Sequence, residues 1–191
     1  MSRGQGRIIA VDGVNGPAIV KAARAAAATI PRATRAGVSL WDASGLFGDL
    51  MIAPPAAGSP SARTLVLVYA ADLAFRIRWE IRPAVDEGKT VVAAPYIATV
   101  VAFGRAAGLD PAWMEDLLAF ATRPDETLHV RARPSANAGG RSGFVEFGRE
   151  CLEALSPAAA REIAPRTLAW MTEAARPPRR VSAARRPARG R

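Results

Sequence analysis

A short run near the amino end, Arg7–Gly13 ("RIIAVDG"), is apolar until it closes on an acid and a glycine, the pattern of a strand buried on both faces of a parallel sheet. The Ala-rich stretch "PAIVKAARAAAATI" (Pro17 to Ile30) follows, with proline where a first helical turn tolerates it. Strand, loop and helix therefore open the chain. "GVSLWDASG" (Gly37 to Gly45) predicts a second short strand ending in a polar turn, and the Pro, Gly and Ser cluster from Pro54 to Ser61 a loop. From Ala62 to Gly88, Leu65, Val68, Tyr69, Leu73, Ile77 and Ile81 recur at helical spacing, so one long helix ending at Gly88 is expected.

"KTVVAAPYI" (Lys89 to Ile97) predicts a third, buried strand, followed by helical sequence to about Arg105. A further helix starts near Pro111 with Asp110 as its cap. "ETLHVRA" (Glu126 to Ala132) is the fourth strand, Arg133 to Gly143 a loop, Phe144 to Leu155 a helix, and Ala159 to Ala175 helical around a break at Pro165. Strands alternating with helices predict an α/β fold with a parallel sheet, whose ligands gather at the carboxyl ends of the strands.

Charge and composition narrow the picture. The 191 residues carry a formal net charge of +9, but seven arginines and no acid fall in "RPPRRVSAARRPARGR", Arg176 to Arg191, and without them the body carries only +2. Residues 1–175 thus read as one domain and 176–191 as a solvated, disordered tail with at most weak attraction for nucleic acid. One cysteine, Cys151, rules out an internal disulfide, and one histidine, His129, leaves no His/Cys cluster spaced for a metal. With no apolar run of membrane-spanning length and no signal-peptide pattern, a cytoplasmic protein that does not enter membranes is expected.

Several segments together resemble thymidylate kinases, P-loop enzymes that pass the ATP γ-phosphate to dTMP, over roughly Arg7 to Leu155. Beside the family's E-G-x-D-G-x-G-K-[ST] stands Asp12-Gly13-Val14-Asn15-Gly16-Pro17-Ala18-Ile19-Val20. The family's aromatic, A-D-R and I-x-P-x-L-x-x-G helix is matched by Tyr69, Ala71, Asp72, Ile81, Pro83 and Gly88, with Leu73 at the arginine position. Its D-R-Y is Ala94-Pro95-Tyr96, and "GLDPAWMEDLLAFATRPDETLHV" parallels its G-L-D, W, F-A and P-D-x-T-L segments. The resemblance implies a P-loop nucleoside-monophosphate-kinase-like three-layer sandwich; the sequence after Leu155 predicts four strands, the family's carboxyl-terminal edge strand being lost.

The departures all remove charge. In a P-loop the lysine reaches the β- and γ-phosphates and the next hydroxyl ligates Mg²⁺; Ile19 and Val20 can do neither, and Pro17 lacks an N–H. Losing one preorganised donor costs ~10²–10³ in rate, so the resemblance implies a degenerate member with no catalytic residue. What it leaves is a vestigial phosphate loop (Gly13, Asn15, Gly16) and a candidate nucleoside pocket (Asp12, Asp42, Tyr69, Tyr96), with no metal site and no cofactor expected. The bland readings carry weight beside these: Tyr69 and Tyr96 as core packing, Asp12 and Asn15 as turn residues.

A pseudoenzyme acting by binding, as a scaffold or regulatory partner, is the first expectation. It would pair as a homodimer, or as a heterodimer with a related kinase, through the helix bearing Phe75, Ile77 and Trp79. The alternatives are an active nucleotide kinase, needing ATP and Mg²⁺ and recruiting Arg76, Arg78, Arg141 or Arg149, and a nucleic-acid or anion binder working through the tail.

Overall fold

The computed structural model describes residues 5–52, 58–134 and 143–174. Its four strands are β1 (Arg7–Gly13), β2 (Arg35–Leu40), β3 (Thr90–Ala94) and β4 (Glu126–Val130), all parallel, in the order β2-β3-β1-β4. Ile9 lies level with Val92 and with Glu126, and Val38 with Val92. Because side chains alternate along a strand, β1 sends Ile8 and Ala10 to one face and Ile9 and Val11 to the other. Burial on both faces is why the run is apolar throughout.

One face is covered by α1 (Gly16–Thr29), whose Ile19, Ala23 and Ala27 meet Ile9, Val11, Val92 and Ala94. The other carries the larger core and is roofed by the remaining helices: α2 (Leu46–Ile52), α3 (Ala62–Arg76), α4 (Arg82–Asp86), α5 (Ile97–Ala106), α6 (Pro111–Leu118), α7 (Phe144–Leu155) and α8 (Pro157–Ala174). This is the expected three-layer α/β sandwich. Asp110 caps α6 as anticipated, accepting from the Ala112 and Trp113 amides.

Two helices depart from expectation. The long helix runs from α3 into α4 through a π-helical turn at Ile77–Ile81, where the Arg82 amide donates to the Ile77 carbonyl, five residues back. The extra residue in that turn rotates the inner stripe, so that burial passes from Arg76 to Ile81 and leaves Trp79 outside. Second, α8 passes through Pro165 unbroken, correcting the expected break. Pro165 and Arg161 both face solvent, so the Arg161 carbonyl deprived of its donor can meet water, while Ala160, Ile163, Ala164, Thr167 and Met171 are buried on the inner side.

Among the described residues α8 follows α7 directly and packs on α5 and α7, and β4 is the sheet edge. No described helix is long and apolar enough to cross a membrane.

Candidate functional site

The turn between β1 and α1 sits at the carboxyl end of a central strand, where a phosphate loop belongs. Asn15 caps α1, its Oδ1 accepting from the Ala18 amide at 2.9 Å while its Nδ2 donates to the Arg133 carbonyl at 2.9 Å. The Gly13 amide donates to Thr99 Oγ1 at 3.1 Å, and the Gly16 amide to Oε1 of Glu146 at 2.9 Å. Pro17 fills the first turn without a donor, and Ile19 is buried in the α1 core rather than aimed at the loop.

Glu146 comes from the first turn of α7, and Gly143, which precedes that helix, makes the approach possible. A Cβ at Gly143 would stand 2.6 Å from Gly16 Cα and 2.7 Å from Glu146 Oε2. Burial pushes the Glu146 carboxyl above its usual range, partly opposed by the Gly16 amide and the charge of Arg149. Its Oε2 is buried with no hydrogen-bond partner among the described residues.

Asp12 is buried beneath the loop and binds the start of α5. Its Oδ1 accepts from the Tyr96 amide (2.8 Å), the Thr99 amide (3.0 Å) and the Thr99 hydroxyl (2.7 Å). Burial raises its pKa, and these three donors hold it back. The acid thus ties the ends of β1 and β3 together through main-chain and hydroxyl hydrogen.

The other expected pocket residues are placed as follows. Tyr69, on α3, is wholly buried; its hydroxyl donates to the Tyr96 carbonyl at 2.7 Å, and its ring lies 4.6 Å from that of Phe144. Tyr96 is also buried, donating to the Thr122 carbonyl at 2.8 Å, and burial pushes its phenol up to about 12. Asp42, at φ 58°, accepts from the Phe47 and Gly48 amides and so caps α2. Phe144 and Phe147 of α7 complete an aromatic cluster with Trp41, Phe47, Tyr69 and Phe103. That cluster occupies the space between α2, α3 and α5.

Two residues that sequence reasoning did not place here prove central. Glu146 lies 130 positions from Gly16, too far for any local pattern to announce. Arg76, offered only as a spare cation, is fully buried: Nε and Nη2 donate to Ser39 Oγ and Ser39 carbonyl, and Nη1 to the Pro95 carbonyl. Asp72, 4.0 Å from Arg76, accepts from the Asp42 and Ser44 amides and the Ser44 hydroxyl. The signal for this pair was an i,i+4 Asp–Arg spacing on the inner stripe with Leu65, Tyr69 and Leu73. Arg78 is exposed over Trp79, whereas Arg141 and Arg176 to Arg191 lie outside the described residues. Cys151 is half-buried, its thiol pushed up to about 11 by desolvation. Among the described residues no three His, Cys, Asp or Glu side chains gather as a metal site.

No family model matches the chain. Curated proteins do: it is 42% identical over 86 residues to a probable thymidylate kinase of Thermococcus gammatolerans, covering 44% of this chain and 41% of that protein. It is 33% identical over 93 residues to the thymidylate kinase of Cutibacterium acnes, covering 47% and 46%. Over these segments the chain is similar to thymidylate kinases. It spans under half the length of the curated relatives it matches. The crystal structure of thymidylate kinase from Ehrlichia chaffeensis shares its fold at a TM-score of 0.56 and 17% identity, over 65% of this chain and 71% of that one. Against a P-loop kinase fold, the amides of Gly13, Gly16 and Ala18 would be the phosphate donors of this thymidylate kinase relative; each instead serves an acceptor of its own chain. Ile19 and Val20 bring neither a cation nor a hydroxyl to the loop.

Proposed function

We propose that this chain is a non-catalytic relative of the thymidylate kinases that acts through binding, as a scaffold or regulatory partner, and takes neither ATP nor Mg²⁺. The occupation of the phosphate loop by the chain's own acceptors carries this reading. Glu146 presents a carboxylate where a phosphoryl oxygen would have to sit, and Ile19 and Val20 stand where a lysine and a hydroxyl would be needed.

Opening the loop means withdrawing α7, and with it Phe144 and Phe147, each 1% exposed. At roughly 1.5–3 kcal/mol for each buried phenylalanine, exposing both costs about 3–6 kcal/mol, or about two to four decades of affinity. The cations proposed as substitutes are committed elsewhere in one case, since three of the Arg76 donor contacts go to Ser39 and Pro95. Association with a second copy, or with a related kinase, is supported by the apolar residues left outside on the long helix: Leu67 at 44%, Phe75 at 39% and Trp79 at 65% exposure.

The test is direct. The purified chain incubated with ATP, Mg²⁺ and dTMP should form no more thymidine diphosphate than a mock purification, and ATP with Mg²⁺ should leave its melting temperature unchanged. Product that tracks the protein through a second column overturns the reading. A rise in melting temperature with thymidine or dTMP alone would restore a nucleoside pocket around Tyr69 while leaving catalysis excluded.

A further inference from the structure

A cavity of about 410 Å³ opens on the side of α5 away from the aromatic cluster, bounded by α5, β4 and α8. Phe103 of α5 turns toward Phe144, whereas Ile97, Val101 and Arg105 line this cavity, opposite Trp170 and Met171 of α8. It lies where α8 packs against α5, and its volume falls within the range of small-molecule sites. The walls are mainly apolar, with Asp12, Thr127 and His129 along the strand side.

Its charge is distributed in a way that suits a particular ligand. Arg105 and Arg123 line the cavity and also a neighbouring groove that holds Glu115, so both guanidiniums sit at the boundary between the two. Both are exposed, and neither makes an ion pair within 4 Å among the described residues. Arg105 rests on the Trp170 ring, 5.2 Å from its centroid, which holds its guanidinium beside the opening. Two cations at the rim of an apolar chamber call for an amphipathic molecule with an anionic end. Asp12 on the cavity wall and Glu115 in the neighbouring groove put an acid on either side of the two arginines, which disfavours a polyanion and selects a single negative charge.

We propose that the cleft between α5, β4 and α8 binds a medium-chain apolar carboxylate, its chain against Ile97, Val101, Trp170 and Met171 and its carboxylate between Arg105 and Arg123. This site reaches Asp12 and Tyr96 beneath the phosphate loop but uses none of Gly13, Asn15 and Gly16, and it does not depend on the chain being inactive. A carboxylate held by charge-assisted hydrogen bonds gains more than a neutral hydroxyl at the same place.

The experiment is isothermal titration calorimetry of the full chain with sodium octanoate and with 1-octanol. Octanoate should bind saturably at one site, at least tenfold tighter than octanol. The double variant Arg105→Gln/Arg123→Gln should weaken octanoate at least tenfold and leave octanol unchanged. Ala98→Leu, which puts bulk into the cavity from an α5 position lining it, should abolish both. Absence of saturable octanoate binding, equal affinity for the alcohol, or octanoate binding that survives Ala98→Leu, as attraction to the arginine-rich carboxyl end would, each overturns the proposal.

Discussion

Gly143→Ala tests the contact on which the occluded loop depends. Gly143 has φ 177°, an extended conformation open to any residue, so alanine brings no backbone strain and its whole effect is steric. The added methyl carbon would lie 2.6 Å from Gly16 Cα, 2.7 Å from Glu146 Oε2 and 3.1 Å from Gly16 nitrogen. Two of those atoms are backbone in a tight turn and cannot swing aside. Overpacking of this kind costs about 1–3 kcal/mol, and the rigid neighbours favour the upper half. For a chain of this length each kcal/mol moves the melting temperature by roughly 2–4 °C, so the expected drop is about 4–12 °C by differential scanning fluorimetry. Gly48→Ala is the matched control: in α2 its methyl would meet only Asp42 Oδ2, at 3.7 Å, and alanine is favoured over glycine inside a helix by about 0.5–1 kcal/mol. A Gly143→Ala protein as stable as the parent would mean that α7 does not rest on the loop, and the account of its occlusion would fail.

Further outcomes follow from the same structure. Asp12→Ala strands the Tyr96 and Thr99 amides, and at ~1–3 kcal/mol for each unsatisfied group should lower urea-unfolding stability by roughly 2–6 kcal/mol. Arg76→Met leaves Asp72 buried opposite an apolar side chain; a loss of about 3–5 kcal/mol is expected, part of it recovered in an Asp72→Asn background. The Glu146 pKa is raised on folding, so the folded chain holds a proton that the unfolded chain releases above its ordinary 4.5. Stability from this group therefore falls as pH rises from that value through the raised folded-state pKa, and Glu146→Gln, which cannot ionise, should melt increasingly higher than the parent over that rise and by a steady margin above it. A gap that is constant with pH would refute the assignment. Trp79→Ala, at a 65% exposed side chain, should change monomer stability by no more than about 0.5 kcal/mol, and should weaken self-association in sedimentation if the long helix is the contact face.

Local pattern carried much of the fold because local physics produces it. An apolar strand ending in Asp12-Gly13, a proline one residue into α1, a continuous apolar run at β3 and an alternating one at β4 each specify their element without distant help. The π-turn was not legible: Ile77 and Ile81 sit four apart, as in a regular helix, and only the outward placement of Trp79 and Glu80 reveals the changed phase. Nor was the continuity of α8, because a proline's effect depends on which side of the helix loses its carbonyl's partner. For the site, the charges missing from Ile19, Leu73, Ala94 and Pro95 were plain in the residues themselves. What took their place was not, since the contact of Glu146 with Gly16 and the wedge of Phe144 and Phe147 join segments that meet only after the sheet and its roof have assembled.

Among the described residues the sheet ends at β4, and that ending has a bearing on how the chain behaves in company. A terminal parallel strand offers its outer row of amides and carbonyls to any extended peptide that passes, the starting point for runaway aggregation. Here the ladder is only five residues long, and Glu126 at its mouth is held by Arg7 at 3.9 Å. The brevity and the charge at its entrance make a poor template, so among the described residues this margin is guarded by its own shortness.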